Sequence, residues 1–188
     1  MSDNYKPRCT RPETTRHNTT LEVQAQLIDI LNQTLATTVD LKTQVKQARW
    51  NVKSININPL HELFHEIAME LEVYIDLLAQ RVTTLGGLAR GTARAAVKNS
   101  VLPEYPFHIT ERQEHLASLA ERLSIYGSLL WENIDRTAIL GDAETAYLYA
   151  EISRVIDKRL WFLDEQLMTS CFDENHPDAC HIQLTKAS

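Results

Sequence analysis

Two histidines four residues apart enclose a glutamate in the run His61-Glu62-Leu63-Phe64-His65. On a helix that spacing puts both imidazoles on one face, an arrangement that suits zinc or another borderline cation. The run has the His-Glu-x-x-His form of zinc peptidases, in which the glutamate activates water. No extension with a third histidine follows, because Ala68 stands three residues after His65, and no segment reads as a strand that could hold an extended peptide. A zinc peptidase is the least favoured of three function classes.

The same pair gains meaning from the rest of its helix. At about 100° and 1.5 Å per residue, His65, Glu72 and Asp76 lie about 40°, 20° and 60° around the axis from His61, with Gln80 at the edge near 100°. Asp76 is about 22 Å further along the axis than His61, so one chain cannot bring them onto one ion. Two copies packed antiparallel about a twofold axis near residue 70 would set His61 and His65 of one opposite Asp76 of the other, making two equivalent sites. A di-iron site within one subunit is disfavoured: Glu62-x-x-His65 occurs once and the fourth helical segment has no histidine. Spacing alone leaves two readings open, a metal site or a solvated polar face.

The elements that must position these residues follow from the breakers. The chain holds only 5 Gly and 6 Pro in 188 residues, too few for a sheet-rich fold with a turn every dozen residues. Apolar residues recur at helical steps from Thr20 to Val52, giving a first helix. Asn58 offers an N-cap with Pro59 in the first helical position, and the second helix runs to a stop at Gly86-Gly87. Residues 88–109 form a long connection with Gly91, Pro103, Pro106 and a short helical candidate, Thr92 to Lys98. Thr110 with Gln113 reads as a capping box for a third helix that ends at Gly141, and its one interior glycine, Gly127, implies close packing. Asp142 caps the fourth helix, which runs to about Leu167. Short, long and short connections between four helices imply an all-α, ferritin-like four-helix bundle whose crossover carries the short helix. The expected organisation is a polar arm over residues 1–19, the bundle over 20–168 and a tail over 169–188.

Charge and cysteine use narrow the setting. No apolar run approaches the length of a membrane span, and the first twenty residues have no hydrophobic stretch to act as a signal sequence. Three cysteines, Cys9, Cys171 and Cys180, fit free thiols in a reducing, cytoplasmic compartment. A net charge of −6 argues against a dedicated nucleic-acid binder. The arm carries Lys6, Arg8, Arg11 and Arg16 against Asp3 and Glu13, so DNA binding is expected to be weak or absent.

A resemblance sharpens the reading. Arg49-Trp50-Asn51-Val52-Lys53, Leu60-His61-Glu62-Leu63-Phe64, the stretch from Asp76 to Arg81 and Leu85-Gly86-Gly87 resemble, in order and spacing, signature segments of the Dps family of twelve-subunit miniferritins. Ser153-Arg154 with Asp157-Lys158-Arg159-Leu160-Trp161-Phe162 resembles that family's last helix, and the likeness covers about residues 20–168. It implies a homododecamer that binds Fe(II) at dimer twofolds, oxidises it with peroxide or oxygen and stores ferric mineral inside; some members also bind DNA.

Three positions depart from the family pattern. Arg49 replaces the usual histidine with a fixed cation that cannot ligate, and is expected to pair with a carboxylate. His61 and Asp76 match family ligands, whereas His65 stands where a carboxylate is usual and Gln80 where a bridging glutamate is usual. The expected catalytic and metal-binding set is therefore His61, His65 and Asp76 of the partner subunit, with Gln80 as a weak member. A set richer in nitrogen and poorer in negative charge favours zinc or another borderline cation over hard, carboxylate-rich di-iron binding, so zinc is an expected occupant of the iron site. The competing reading is a structural or DNA-protecting shell whose site holds zinc and oxidises iron poorly.

Weaker candidates complete the list. The resemblance suggests that Trp50 quenches radicals, against a plain aromatic wedge between helices; Trp161 reads as core. Glu132, Asp135, Asp142 and Glu144 could line an ion pore around a threefold axis, against a solvated face with Asp142 simply capping. Twelve copies at −6 each would draw cations if that charge faces a cavity. Cys171, His176, Cys180 and His181 could form an accessory zinc site, against a contact arm without metal. His17, His108 and His115 read as isolated surface residues.

Overall fold

The computed structural model describes residues 20–53 and 57–173. Five helices carry the fold: α1 (Leu21–Asn51), α2 (Ile57–Thr84), α3 (Ala93–Asn99), α4 (Arg112–Ile139) and α5 (Ala143–Asp173). The described residues contain no strand, only an isolated bridge between Lys53 and Glu111.

Most helix ends are set by local chemistry that the sequence announces. The Thr20 hydroxyl accepts from Val23 N–H at 3.4 Å and starts α1. At the end of α2, Gly86 takes φ +78°, and the N–H groups of Gly86 and Gly87 donate to the carbonyls of Thr83 and Val82 at 2.9 Å each. This paired stop needs a left-handed residue, which glycine supplies without strain. Gly141 repeats it at φ +81°. Asp142 Oδ1 accepts from Thr145 N–H at 3.1 Å and starts α5.

Two starts shift, α2 by two residues and α4 by one. α2 begins at Ile57, so Asn58 lies inside the first turn and Pro59 beyond the first helical position. Pro59 is still tolerated, because first-turn N–H groups have no carbonyl partner in the helix. The predicted box of Thr110 with Gln113 gives way to one of Glu111 with Glu114. The Glu114 carboxylate accepts from the N–H groups of both Glu111 and Thr110 at 3.2 Å, and its negative charge suits the positive end of the helix dipole. α5 continues past Leu167 to Asp173, with no Gly or Pro in between to stop it.

The pairing of elements fixes the topology. Gln24 donates to the carbonyl of Leu85, Lys42 meets Glu72 and Arg49 meets His65, so α1 and α2 run antiparallel. Gln44 with Arg122, Thr38 with Tyr126 and Thr34 with Asn133 run α1 antiparallel to α4. Arg159 with Glu70, and Arg81 with Thr145, do the same for α2 and α5. The crossover therefore leaves one end of the bundle and reaches the other. Asn32 holds its start, donating to Leu88 O at 3.2 Å and accepting from Arg90 N–H at 2.8 Å. Gln44 and Arg122 hold its end through the carbonyls of Pro103 and Glu104 at 3.1 and 2.8 Å.

Between the helices lies a continuous apolar core, with Leu31, Phe64, Leu71, Leu123 and Ile152 among its buried members. Each such side chain contributes about 1.5–3 kcal/mol. Two tyrosines cross it with their hydroxyls satisfied, Tyr126 by Thr38 at 2.7 Å and Tyr149 by Thr34 at 3.1 Å.

Trp161 is not core. It is 54% exposed, because it lies two positions and about 200° round α5 from buried Leu163. Nor does close packing account for Gly127, where an added Cβ would meet its nearest neighbours, Ile156 and Asp157, at an ordinary 3.8 Å.

Candidate metal centre

The antiparallel pairing of α1 with α2 brings the last turn of the first beside the opening turns of the second. Arg49 Nη1 lies 3.4 Å from His65 Nδ1. The carboxylate expected opposite Arg49 is absent: among the described residues it makes no ion pair. Nearby acids are engaged elsewhere. Glu66 and Glu70 are held by Arg159 of α5 at 2.8 and 2.7 Å, and Glu72 by Lys42 of α1. Their hydrogen bonds push the Arg159 guanidinium further into its charged form.

His61 and Asp76 stand differently. His61 is half-buried, and its Nε2 is shut from solvent with no hydrogen-bond partner among the described residues. A buried nitrogen left unpaired is destabilising, a cost that a bound cation would offset. Asp76 is exposed and, like Glu62, makes no ion pair among the described residues. Gln80 is exposed as well.

Within one subunit these groups do not converge. Among the described residues no three of His, Cys, Asp or Glu are grouped so as to hold a metal ion, as the 22 Å or so of helix between His61 and Asp76 requires. Beside the polar face that joins them runs an exposed apolar stripe. Met69 is 56% and Val73 55% exposed, and Leu77 follows one turn on. Met69 lies about 80° around the axis from His61, between Asp76 and Gln80.

Trp50 stands next to Arg49 at the end of α1. It is 68% exposed in the subunit, with Lys46 Nζ 5.6 Å from its ring centroid, so it is no wedge between helices of its own bundle. It lies two residues beyond fully buried Ala48, about 200° round the helix.

The acidic group near the α4–α5 turn divides. The Asp142 side chain is only 9% exposed, held by Arg81 at 2.7 Å and Thr145, and it caps α5. Burial pushes its carboxyl up, but the hydrogen bonds from Arg81 and Thr145 together hold it below the usual range. Glu144 is exposed and also meets Arg81, at 2.5 Å, and Glu132 makes a loose pair with Arg136 at 3.7 Å. Spacing alone does not mark Arg81 as buried, since a single cation near a helix end has no periodic signature.

His115 is not a surface residue. It is 1% exposed, with Nδ1 2.6 Å from the Tyr105 hydroxyl. His108 is exposed as expected, and Cys171 falls in the last turn of α5. His17, the basic arm, His176, Cys180 and His181 lie outside the described residues.

Comparison with known proteins places this architecture. The ferritin-like domain family matches residues 28–170. A DNA protection during starvation protein of Agrobacterium fabrum is 35% identical over 150 residues, covering 80% of this chain and 93% of that one. A protein of the same name from Halobacterium salinarum is 33% identical over 132 residues, covering 67% and 69%. Among solved structures, the tetragonal form of Mycobacterium smegmatis Dps superposes with a TM-score of 0.79 at 25% identity, covering 84% of this chain and 94% of that one. DpsC from Streptomyces coelicolor gives 0.78 at 28% identity, with coverages of 82% and 91%. No described helix is long and apolar enough to cross a membrane. With more than two thirds of its length matched in each case, the chain belongs to the Dps family of ferritin-like proteins.

Proposed function

We propose that this protein assembles into a dodecameric shell that binds Fe(II) between paired subunits, oxidises it with peroxide or oxygen and stores the ferric product inside. The observation that carries the proposal is the buried Nε2 of His61, without a partner among the described residues, set on the same helix face as the Asp76 carboxylate, which makes no ion pair among them. A twofold axis near residue 70, through the exposed Met69 and Val73, would bring His61 and His65 of one subunit to Asp76 of its partner. Two imidazoles and a carboxylate form a donor set that iron accepts. Reducing one peroxide to two waters takes two protons and two electrons, one electron from each of two Fe(II) ions, and where both electrons are supplied together no hydroxyl radical is released. Protection of DNA, the role for which the curated relatives are named, would then come chiefly from removing iron and peroxide.

The test follows Fe(II) loss and peroxide consumption in the assembled wild type and in the double variant His61→Ala, His65→Ala. The variant is expected to oxidise iron far more slowly. Identical kinetics and stoichiometry would overturn the proposal.

A second reading is favoured by the guanidinium of Arg49 against His65 and by the neutral Gln80. It is a structural or DNA-protecting shell whose site holds zinc and oxidises iron poorly. Metal analysis of the purified shell separates the two: stoichiometric zinc with no peroxide-driven oxidation would select the second. The arm's small positive excess predicts weak or no DNA binding, and a gel shift that persists at about 0.15 M salt would refute that.

A further inference from the structure

We infer that Arg49 is a lock on His65, which must open before that imidazole can take a divalent cation. The inference rests on the metal-site reading above and concerns how that site is controlled. A guanidinium has only donors, so at 3.4 Å from Arg49 Nη1 the His65 Nδ1 is the acceptor. In a neutral imidazole the one proton then sits on Nε2. A ligating histidine needs the opposite state: one nitrogen bare toward the ion, and the other giving its N–H to a carboxylate or carbonyl. With Arg49 in place, neither nitrogen of His65 is bare and free.

The lock also acts by charge. A guanidinium about 6 Å from a bound ion, at an effective dielectric constant of about 20, weakens binding by roughly 100-fold per unit of ionic charge. Arg49 has no ion pair among the described residues to offset its charge. It also has somewhere to go. Glu62, three residues before His65 on the same helix, is exposed and equally without an ion pair, a neighbouring carboxylate able to take the displaced guanidinium. The site would thus be held at low affinity by a residue of its own and would strengthen as the guanidinium swings from imidazole to carboxylate.

The experiment titrates the assembled full-length protein with Co²⁺, which is not oxidised under the assay conditions and whose visible absorption reports nitrogen ligation. The proteins compared are wild type, Arg49→Gln, Arg49→Lys, His61→Ala, His65→Ala and the double variant Arg49→Gln, His65→Ala, each checked for helicity and assembly size. Arg49→Gln removes the charge and keeps a polar side chain, and should bind Co²⁺ at least about 10-fold tighter with a spectrum showing an added imidazole. Arg49→Lys keeps the charge and should stay near wild type in affinity. Adding His65→Ala to Arg49→Gln should abolish the added imidazole signal and most of the gain. If Arg49→Gln binds no tighter while His61→Ala still removes binding, the lock is wrong and the metal site stands. If no variant alters the titration, the site reading fails and the lock falls with it.

Discussion

Arg81, in the last turn of α2, reaches the N-cap of α5 and meets Asp142 at 2.7 Å, with the two side chains only 6% and 9% exposed. Its Nε also donates to the Thr145 hydroxyl at 2.8 Å. One guanidinium therefore closes the bundle end where α2 stops, α4 turns and α5 starts. Breaking a buried pair by removing one member leaves the other charge without compensation and costs about 3–5 kcal/mol. Arg81→Met should lower the stability of the protein by about 3 kcal/mol in chemical denaturation at fixed protein concentration. Glu144→Gln, removing the exposed partner, should cost under about 1 kcal/mol. Equal effects would mean that the buried pair is not what holds this end.

The same pair predicts an acid limit. The folded-state Asp142 carboxyl lies below its usual value, since the hydrogen bonds from Arg81 and Thr145 outweigh burial. Its contribution is therefore complete above the ordinary carboxylate pKa of about 3.9 and is lost as pH falls through the lower folded value. Asp142→Asn should flatten the loss of stability below about pH 4 relative to wild type.

His115 acts at higher pH. Burial lowers its pKa, with the Glu114 carboxylate and the Asn51 carbonyl pulling the other way. The unfolded chain takes up this proton near pH 6.5, but the folded chain resists it. Stability from this site is whole above about pH 6.5 and declines as pH drops toward the folded value. Denaturation midpoints between pH 7 and pH 5 should fall less steeply in His115→Gln than in wild type. An unchanged slope would show that His115 does not hold a neutral state in the core.

Much of this architecture is legible from breakers and caps. Gly86, Gly141, Asp142 and Thr92 each sit where their backbone or side-chain chemistry places them, because such signals are local. What stays hidden is decided at distance. Whether His115 is a surface residue depends on Tyr105, which the crossover lays over it, and no spacing on α4 reveals that. Arg49 was expected to find a carboxylate, yet Arg159 and Lys42 claim three of the acids of α2 first, a competition among three helices. Trp161 and Trp50 mislead for a simpler reason. Tryptophan favours cores, but both lie about 200° from buried neighbours two positions away. The face shared by His61, His65 and Asp76 follows from helix geometry alone, whereas the unpartnered Nε2 of His61 and the stripe of Met69 and Val73 need the packed bundle to be seen.

Gly127 offers a gain. It lies within α4, it lacks a positive φ, and a Cβ there would touch Ile156 and Asp157 at ordinary contact distance. Glycine inside a helix is less favourable than alanine by about 0.5–1 kcal/mol, mostly through the freedom it loses on folding. Gly127→Ala should raise stability by roughly that amount with assembly unchanged. A decrease would mean that α4 and α5 approach more closely in the shell than in the subunit.

The pairing of subunits through α2 is the step on which the metal site depends, and one substitution separates it from folding. Val73 is 55% exposed in the subunit and sits beyond the core, so a charge there meets solvent when the chain is alone. In an antiparallel pair centred near residue 70, the same position lies within the contact, about 9 Å along the axis from its symmetry mate, and Val73→Glu would bury two like charges there without partners. The variant should keep wild-type helicity and shift from the assembled shell to smaller species in light scattering. Asp76 would then no longer reach His61, so Co²⁺ affinity should fall with assembly, and a Val73→Leu control should keep both. If Val73→Glu assembles normally, the exposed stripe on α2 is not the twofold contact. If it disassembles yet binds Co²⁺ as wild type does, His61 and His65 bind without Asp76, and the shared site is wrong even though the pairing is right.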